Sequence, residues 1–191
     1  TDRGRVFRLR CYDIPRESSR TAKGIPIVNL IAIEVKEKVT EVLCVPAFTQ
    51  DRFMVVATRN GEVKKTNLAE FASVRSSGLI AMDLEQGDEL VAARIAEADD
   101  QVILVTESGQ SIKFSVAKLR VASRTSGGVY GIRPAPGDNV VGMELAVLDA
   151  CLFVISANGF GKCTPFTAYP LQGRGGGGVR TFKVLPKTGK I

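Results

Sequence analysis

The sequence predicts an all-β fold, a propeller-like array of about four small four-stranded sheets. Three observations carry that expectation. One phrase ending in glycine recurs at near-constant spacing, the apolar runs are short and rich in Val and Ile, and helical periodicity is confined to residues 67–71 and 116–119. The phrase occupies residues 53–61, 101–109 and 151–159, and its tail opens the chain at residues 1–4. Its glycines, Gly4, Gly61, Gly109 and Gly159, are 57, 48 and 50 residues apart. Thr1, Thr58, Thr106 and Ser156 each stand three residues before one of them. The repeats fall at approximately 1–50, 51–99, 100–149 and 150–191 of a single domain.

Each unit reads as strand, turn, strand. The apolar runs end at Asn60-Gly61, Ser108-Gly109 and Asn158-Gly159. Asn-Gly between two strands supplies the positive-φ residues of a hairpin turn. A second marker follows, an arginine three or four residues before a glycine and then an aliphatic residue. It appears as Arg20 to Gly24-Ile25, Arg75 to Gly78-Leu79, Arg124 to Gly128-Val129 and Arg174 to Gly178-Val179. A β-branched stretch after each marker predicts another strand. A third marker is Gly87-Asp88 against Gly137-Asp138, with Lys36-Glu37 in its place in unit one. Unit four ends at Ile191 without reaching it. The chain therefore reads as an incomplete piece of a larger disc, with unit one lacking its first strand and unit four its last. A unit of about 50 residues cannot bury its own sheet and must stack on neighbours.

Composition narrows the function classes. The chain has 191 residues, 45% hydrophobic and 24% charged, a globular balance. Its longest stretch without a charged side chain is 12 residues, 150–161. A membrane helix needs about 20, so no membrane partner is expected. Histidine is absent, which removes the common general base, the common metal ligand and any Ser-His or Cys-His dyad. Cys11, Cys44, Cys151 and Cys163 show no C-x-x-C spacing. They predict neither a zinc site nor a disulfide scaffold, and a reducing cytoplasm is the default.

Two phosphate-binding motifs fail on inspection. Residues 173–178 contain G-x-G-x-x-G, but residues 179–184 alternate like a strand where a dinucleotide fold needs a helix. Gly161-Lys162-Cys163 resembles the end of a P-loop, yet Ser156 replaces its first glycine and Cys163 its Ser or Thr.

The recurring feature with chemical content is cationic. Basic residues outnumber acidic ones 26 to 20, a net charge of +6. Arg8, Lys65 and Lys113 lie four residues past their turn glycines, beside Lys64, while Lys162 lies only three past its own. In a strand one residue changes the face, so Lys162 is not expected to be equivalent. The glycine-rich loops add Arg20, Lys23, Arg75, Arg124 and Arg174, and Arg180 stands on the strand after the last of them. A single lysine on a strand is ordinarily just a solvated face. Cations recurring at two marked places in four units instead predict rows along one rim, suited to a phosphate backbone with a charge every ~1.7 Å of duplex axis. Glycines beside the arginines would let backbone N–H groups approach phosphates.

At residues 24–30, 60–66 and 158–162 the sequence resembles the C-terminal domain of the bacterial DNA gyrase A subunit, and the likeness holds in order along nearly the whole chain. The resemblance implies a β-pinwheel whose blades exchange strands and which wraps double-stranded DNA around a basic outer rim with positive handedness. It implies a non-catalytic role in ATP-dependent negative supercoiling. The partners would be DNA, the gyrase B subunit, plus the rest of the gyrase A chain, in the bacterial cytoplasm at the nucleoid. It implies no cofactor in this domain, ATP and magnesium being used elsewhere in the holoenzyme. The family's box, Q-R-R-G-G-K-G, is similar to residues 172–178, where Gly173 and Gly177 replace two basic residues; by family order the box itself would lie upstream of Thr1. The catalytic tyrosine of these enzymes belongs to another domain, and Tyr12, Tyr130 and Tyr169 have no matching context.

Three alternatives stand beside this one. The topoisomerase IV A subunit carries a similar domain. A propeller-type protein-interaction platform would show aromatic anchors, but aromatics are 6% with no Trp. An enzyme with a central-channel site would need clustered carboxylates or histidine.

Overall fold

The computed structural model describes residues 1–16 and 19–191. Unit one contributes β1 (Arg5–Val6). Unit two contributes β2 (Phe53–Thr58), β3 (Glu62–Asn67), β4 (Leu79–Ile80) and β5 (Leu90–Ala96). Unit three contributes β6 (Gln101–Thr106), β7 (Gln110–Ser115), β8 (Val129–Tyr130) and β9 (Val140–Leu145). Unit four contributes β10 (Cys151–Ile155), β11 (Gly161–Pro165) and β12 (Val179–Arg180). Among the described residues there is no α-helix. The short helical stretches read from the sequence are 3-10 turns at Leu68–Phe71 and Val116–Lys118, each entered through a side-chain cap from Asn67 or Ser115.

The strands form two four-stranded sheets, ordered β5-β2-β3-β8 and β12-β7-β6-β9, and two two-stranded sheets, β1-β4 and β10-β11. All these pairings are antiparallel. The order carries the exchange: β4, β8 and β12 each pair with the hairpin of the preceding unit. A sheet therefore takes its outermost strand from the next unit. Of the four sheets expected to hold four strands, the two in the middle of the chain do so.

The central hairpin strands are apolar on both faces for the same reason. Along β2, Met54 and Val56 enter a core with Val6, Leu68, Phe71 and Met82, while Val55 and Ala57 enter a second core with Val102, Leu104, Phe114 and Ile132. Along β6, Val102 and Leu104 join that second core, and Ile103 and Val105 a third, with Leu152, Val154, Phe166 and Phe182. Every core is thus shared between neighbouring units. The other ends of the sheets approach each other: Arg94 of β5 forms ion pairs with Glu41 of unit one and Glu144 of β9.

The turn explains the recurring Thr or Ser and the glycine. Gly61 N–H donates to the Thr58 carbonyl and Glu62 N–H donates to Thr58 Oγ1; Gly109 and Gln110 repeat both bonds on Thr106. Only the glycine has positive φ, +93° at Gly61 and +85° at Gly109, so the turn is the three-residue type with a glycine bulge and not an Asn-Gly pair of positive-φ residues. The third marker closes the same turn from below. Asp88 Oδ1 accepts from the N–H groups of Asn60 and Glu89, and Asp138 Oδ1 from those of Ser108 and Asn139. In unit four the place is filled after all: the Thr188 carbonyl accepts from Asn158 N–H, and that of Lys190 from Ala157 N–H. A backbone oxygen there does the work of the aspartate, which hid the equivalence from sequence alignment.

The turn glycine also makes the joint between units. The Gly4 carbonyl accepts from Ala81 and Met82 N–H, that of Gly61 from Gly131 and Ile132, and that of Gly109 from Thr181 and Phe182. A Cβ on Gly61 would stand 2.5 Å from the Ile132 oxygen, and one on Gly109 2.2 Å from the Phe182 oxygen. At Gly159, with φ +82°, a Cβ would meet no described atom within 4 Å. Gly159→Ala should therefore cost only the left-handed backbone penalty, about 1–2 kcal/mol. Gly109→Ala should add to that a steric clash and two strained hydrogen bonds, each worth about 1 kcal/mol. Urea denaturation of the two variants, expected to differ by at least about 2 kcal/mol, checks this.

Candidate nucleic-acid interface

The exchange fixes where the arginine loops lie. The loops carrying Arg75, Arg124 and Arg174 run directly into β4, β8 and β12, the strands that cross to the preceding unit. They therefore occupy equivalent positions at the exchanged edge of successive sheets. Arg75 and Arg174 are exposed, and Arg124 is half-exposed, its Nε 3.7 Å from Glu70. Arg174 also donates to the Tyr130 carbonyl of unit three at 3.3 Å. Arg180, on β12, is exposed, as are Arg20 and Lys23 in the unit-one loop. The marker glycines pack between units: a Cβ on Gly178 would stand 2.2 Å from the Ser111 oxygen, and one on Gly128 3.0 Å from that of Val63. Their lack of a side chain is accounted for by the approach of one backbone to another.

The strand lysines are elsewhere. The recurrence places Lys64, Lys65 and Lys113 among the phosphate-binding cations of an exposed rim, whereas the structure buries all three, at 2%, 6% and 9% exposure. Lys65 Nζ donates to the Val116 carbonyl at 3.0 Å and lies over the Phe53 ring; Lys113 Nζ donates to the Phe166 carbonyl at 2.8 Å. Arg8 remains exposed, stacks over Phe48 and donates to the Ala72 carbonyl. Arg8, Lys65 and Lys113 all stand four residues past a turn glycine. Each reaches a carbonyl within or just after the 3-10 turn of the following unit (Leu68–Phe71, Val116–Lys118 and Phe166–Ala168), so they are latches between units. The reason lies in the stacking: a strand face that would be solvated in a single sheet is covered by the next one, and a lysine survives there only with its ammonium hydrogen-bonded.

Lys64 is the more enclosed case. Its ammonium donates to three carbonyls of the Arg124 loop, those of Ser123 at 3.0 Å, Arg124 at 2.7 Å and Ser126 at 2.8 Å. Burial pushes its pKa down to about 8, against the opposing pull of Glu70 and Asp83. Lys162 faces Val154 across its hairpin as Lys64 faces Val56, so the two are equivalent in register, and the position four past Gly159 is Cys163. Lys162 itself is exposed and donates to the Thr181 carbonyl at 3.2 Å.

Two of the cysteines meet in the fold, although their spacing does not mark them as a pair. Cys151 and Cys163 are joined by a disulfide across the β10–β11 hairpin, while Cys11 and Cys44 are free and exposed. Register explains what spacing could not: Cys163 lies opposite Phe153, diagonal to Cys151 on the same face.

Sequence reasoning missed two exposed cations near the loops. Arg133 stacks on Tyr130, whose carbonyl Arg174 bonds, and Lys183 occupies the matching place in unit four. Both stand five residues past a marker glycine, a recurrence that a longer alignment of the repeats would have found.

The latch assignment has a measurable consequence. Lys65→Ala or Lys113→Ala should remove one of two donors to a buried carbonyl, the Leu119 or Tyr169 N–H remaining, together with the packing of a buried side chain, and cost about 1–2 kcal/mol of stability. Lys187, exposed in a turn after β12, replaced in the same way should cost under about 0.5 kcal/mol. Chemical denaturation of Lys65→Ala and Lys113→Ala beside Lys187→Ala makes the comparison.

Comparison with known proteins agrees with this architecture. The model of the family described as "DNA gyrase C-terminal domain, beta-propeller" matches residues 1–46, 53–97, 100–146 and 152–191. The DNA gyrase A subunit of Dehalogenimonas lykanthroporepellens is 48% identical over 191 residues, all of this chain and 24% of the relative. That of Mycolicibacterium smegmatis is 39% identical over 193 residues, covering 23% of its length. The chain thus spans about a quarter of these curated relatives. Among solved structures, a DNA gyrase A C-terminal domain superposes with a TM-score of 0.82 at 22% identity, covering 99% of this chain and 61% of that one. The C-terminal domain of a DNA topoisomerase IV gives 0.79 at 25% identity, covering 87% and 52%. With four matched segments tracking the four units, the chain belongs to the DNA gyrase C-terminal domain family.

Proposed function

We propose that this chain is the DNA-wrapping module of a gyrase A subunit. It binds the phosphate backbone of duplex DNA along the exchanged edge of its sheets, and does no chemistry itself. In the holoenzyme it would support ATP-dependent negative supercoiling. The B subunit, with the catalytic part of the gyrase A chain, would hold the ATP, the magnesium and the reacting groups. The observation that carries this reading is the recurrence of Arg75, Arg124 and Arg174 in equivalent loops at one edge of successive units. Arg8, Arg20, Lys23, Lys162 and Arg180 add exposed charge to the proposed surface, and Arg133 and Lys183 extend it. The buried Lys64, Lys65 and Lys113 are reassigned to holding the surface in shape.

Repeated cations on repeated loops suit a phosphate backbone and carry no base-specific information. Binding should accordingly be insensitive to sequence and sensitive to salt. The curated relatives favour gyrase over topoisomerase IV, since they are gyrase A subunits matched along the whole of this chain at up to 48% identity.

A titration of duplex DNA at several salt concentrations tests this. With about four phosphates neutralised, log K should fall against log salt with a slope near −3.6. Arg124→Ala and Arg174→Ala should each weaken binding to all duplexes alike and make the slope shallower by about one. Unchanged binding by both variants, or a flat salt response, would remove the arginine edge as the DNA surface.

A further inference from the structure

The residue three past the turn glycine occupies one place in every joint, beneath the marker loop of the next unit. It is Phe7 in unit one, Lys64 in unit two and Ile112 in unit three. Phe7 packs its ring against the Gly78 loop, and Ile112 lies under Gly176 and Gly178. Those two loops therefore rest on apolar side chains. The Arg124 loop rests on an ammonium. All three N–H donors of Lys64 are used, each on a carbonyl of Ser123, Arg124 or Ser126, and the side chain is 2% exposed.

The local sequence suits such an anchor. The Arg174 loop is almost all glycine, with its backbone packed closely between units, whereas the Arg124 loop reads Ser-Arg-Thr-Ser before its glycines. Ser126 N–H and Oγ both bond the Ser123 carbonyl, so the loop turns back on itself and points its carbonyls inward. Convergent carbonyls repel one another unless a cation or donor stands among them. Glu70 and Asp83 face the same ammonium from unit two, and Glu70 also meets Arg124. An apolar side chain at this place would leave the Arg124 carbonyl without the donor it has here.

We infer that Lys64 is the positioning residue of the Arg124 loop, an internal cation that ties three loop carbonyls together and so presents Arg124 outward to a phosphate. The inference rests on the phosphate-binding reading of that loop. Lys64 touches no DNA; it acts through the loop backbone.

The test uses the full chain with Lys64→Ile, Arg124→Ala and the double variant. Isoleucine copies Ile112, a side chain the fold already carries at the equivalent place, and a thermal melt checks that folding persists. In Lys64→Ile, hydrogen exchange should accelerate at the Ser126 and Gly128 amides, both hydrogen-bonded within or beneath the loop, while β2 and β3 stay protected. DNA affinity should fall by up to about tenfold, a change of about 1.4 kcal/mol, and Lys64→Ile should have no further effect once Arg124 is gone. Unchanged exchange in the loop, or a double variant showing the full product of the two single effects, would overturn the assignment. If Arg124→Ala alone binds DNA normally, the phosphate reading of the loop fails, and the exchange rates by themselves decide whether Lys64 holds it.

Discussion

A hairpin in this protein is finished only by its successor. The carbonyl of each turn glycine at residues 4, 61 and 109 receives two N–H groups from the following unit, and a short strand of that unit closes the sheet edge. Backbone groups at a buried edge must find partners, and here the partners come from about 70 residues further on. The rest of the architecture follows from this joint. The turn must present a bare backbone, so its third residue is glycine for a steric reason as well as a conformational one. Strands β2 and β6 lie between neighbours, so their residues are apolar on both faces.

The same joint organises charge. A strand position that would face water in an isolated hairpin is roofed by the next unit, and a lysine there becomes an internal donor. Lys65 and Lys113 each bond one carbonyl of the succeeding 3-10 turn, and Lys64 bonds three carbonyls of the succeeding loop. Burying an ammonium is costly, and hydrogen bonds to carbonyls offset that cost, joined at Lys64 by the opposing charges of Glu70 and Asp83. The arginines avoid it by sitting on loops outside the stacked faces, where a guanidinium stays hydrated and free to meet an anion. The basic residues thus divide into a set that holds units together and a set that faces outward.

Unit four carries a different pattern on the second face of its hairpin. Leu152 and Val154 of β10 are buried against unit three, while Phe153 and Ile155, on the opposite face, are 62% and 55% exposed. The position of the latch lysine is taken by Cys163, bonded to Cys151 on that same face. A disulfide joins two strands of one hairpin and so does not depend on a neighbouring unit for its partner.

The sequence by itself determined the repeat, the strand class and the places of the turns. Each of these is written in local pattern: Thr or Ser before Gly, Val and Ile in short runs, Gly-Asp before the next strand. It also marked the loops at Arg75, Arg124 and Arg174, because an arginine among glycines has no role in a strand core. What only the tertiary structure decided is which cations face out. Lys65 and Arg174 look alike as charged residues near glycines, yet one is roofed by the next unit and the other is not. Burial there depends on a face more than 50 residues away, through Val116 and Val121, and no local period encodes it. The strand exchange was legible from the residues themselves only as a β-branched stretch after each marker; that it crosses to the preceding unit is a matter of long-range backbone pairing, which leaves no side-chain signature of its own.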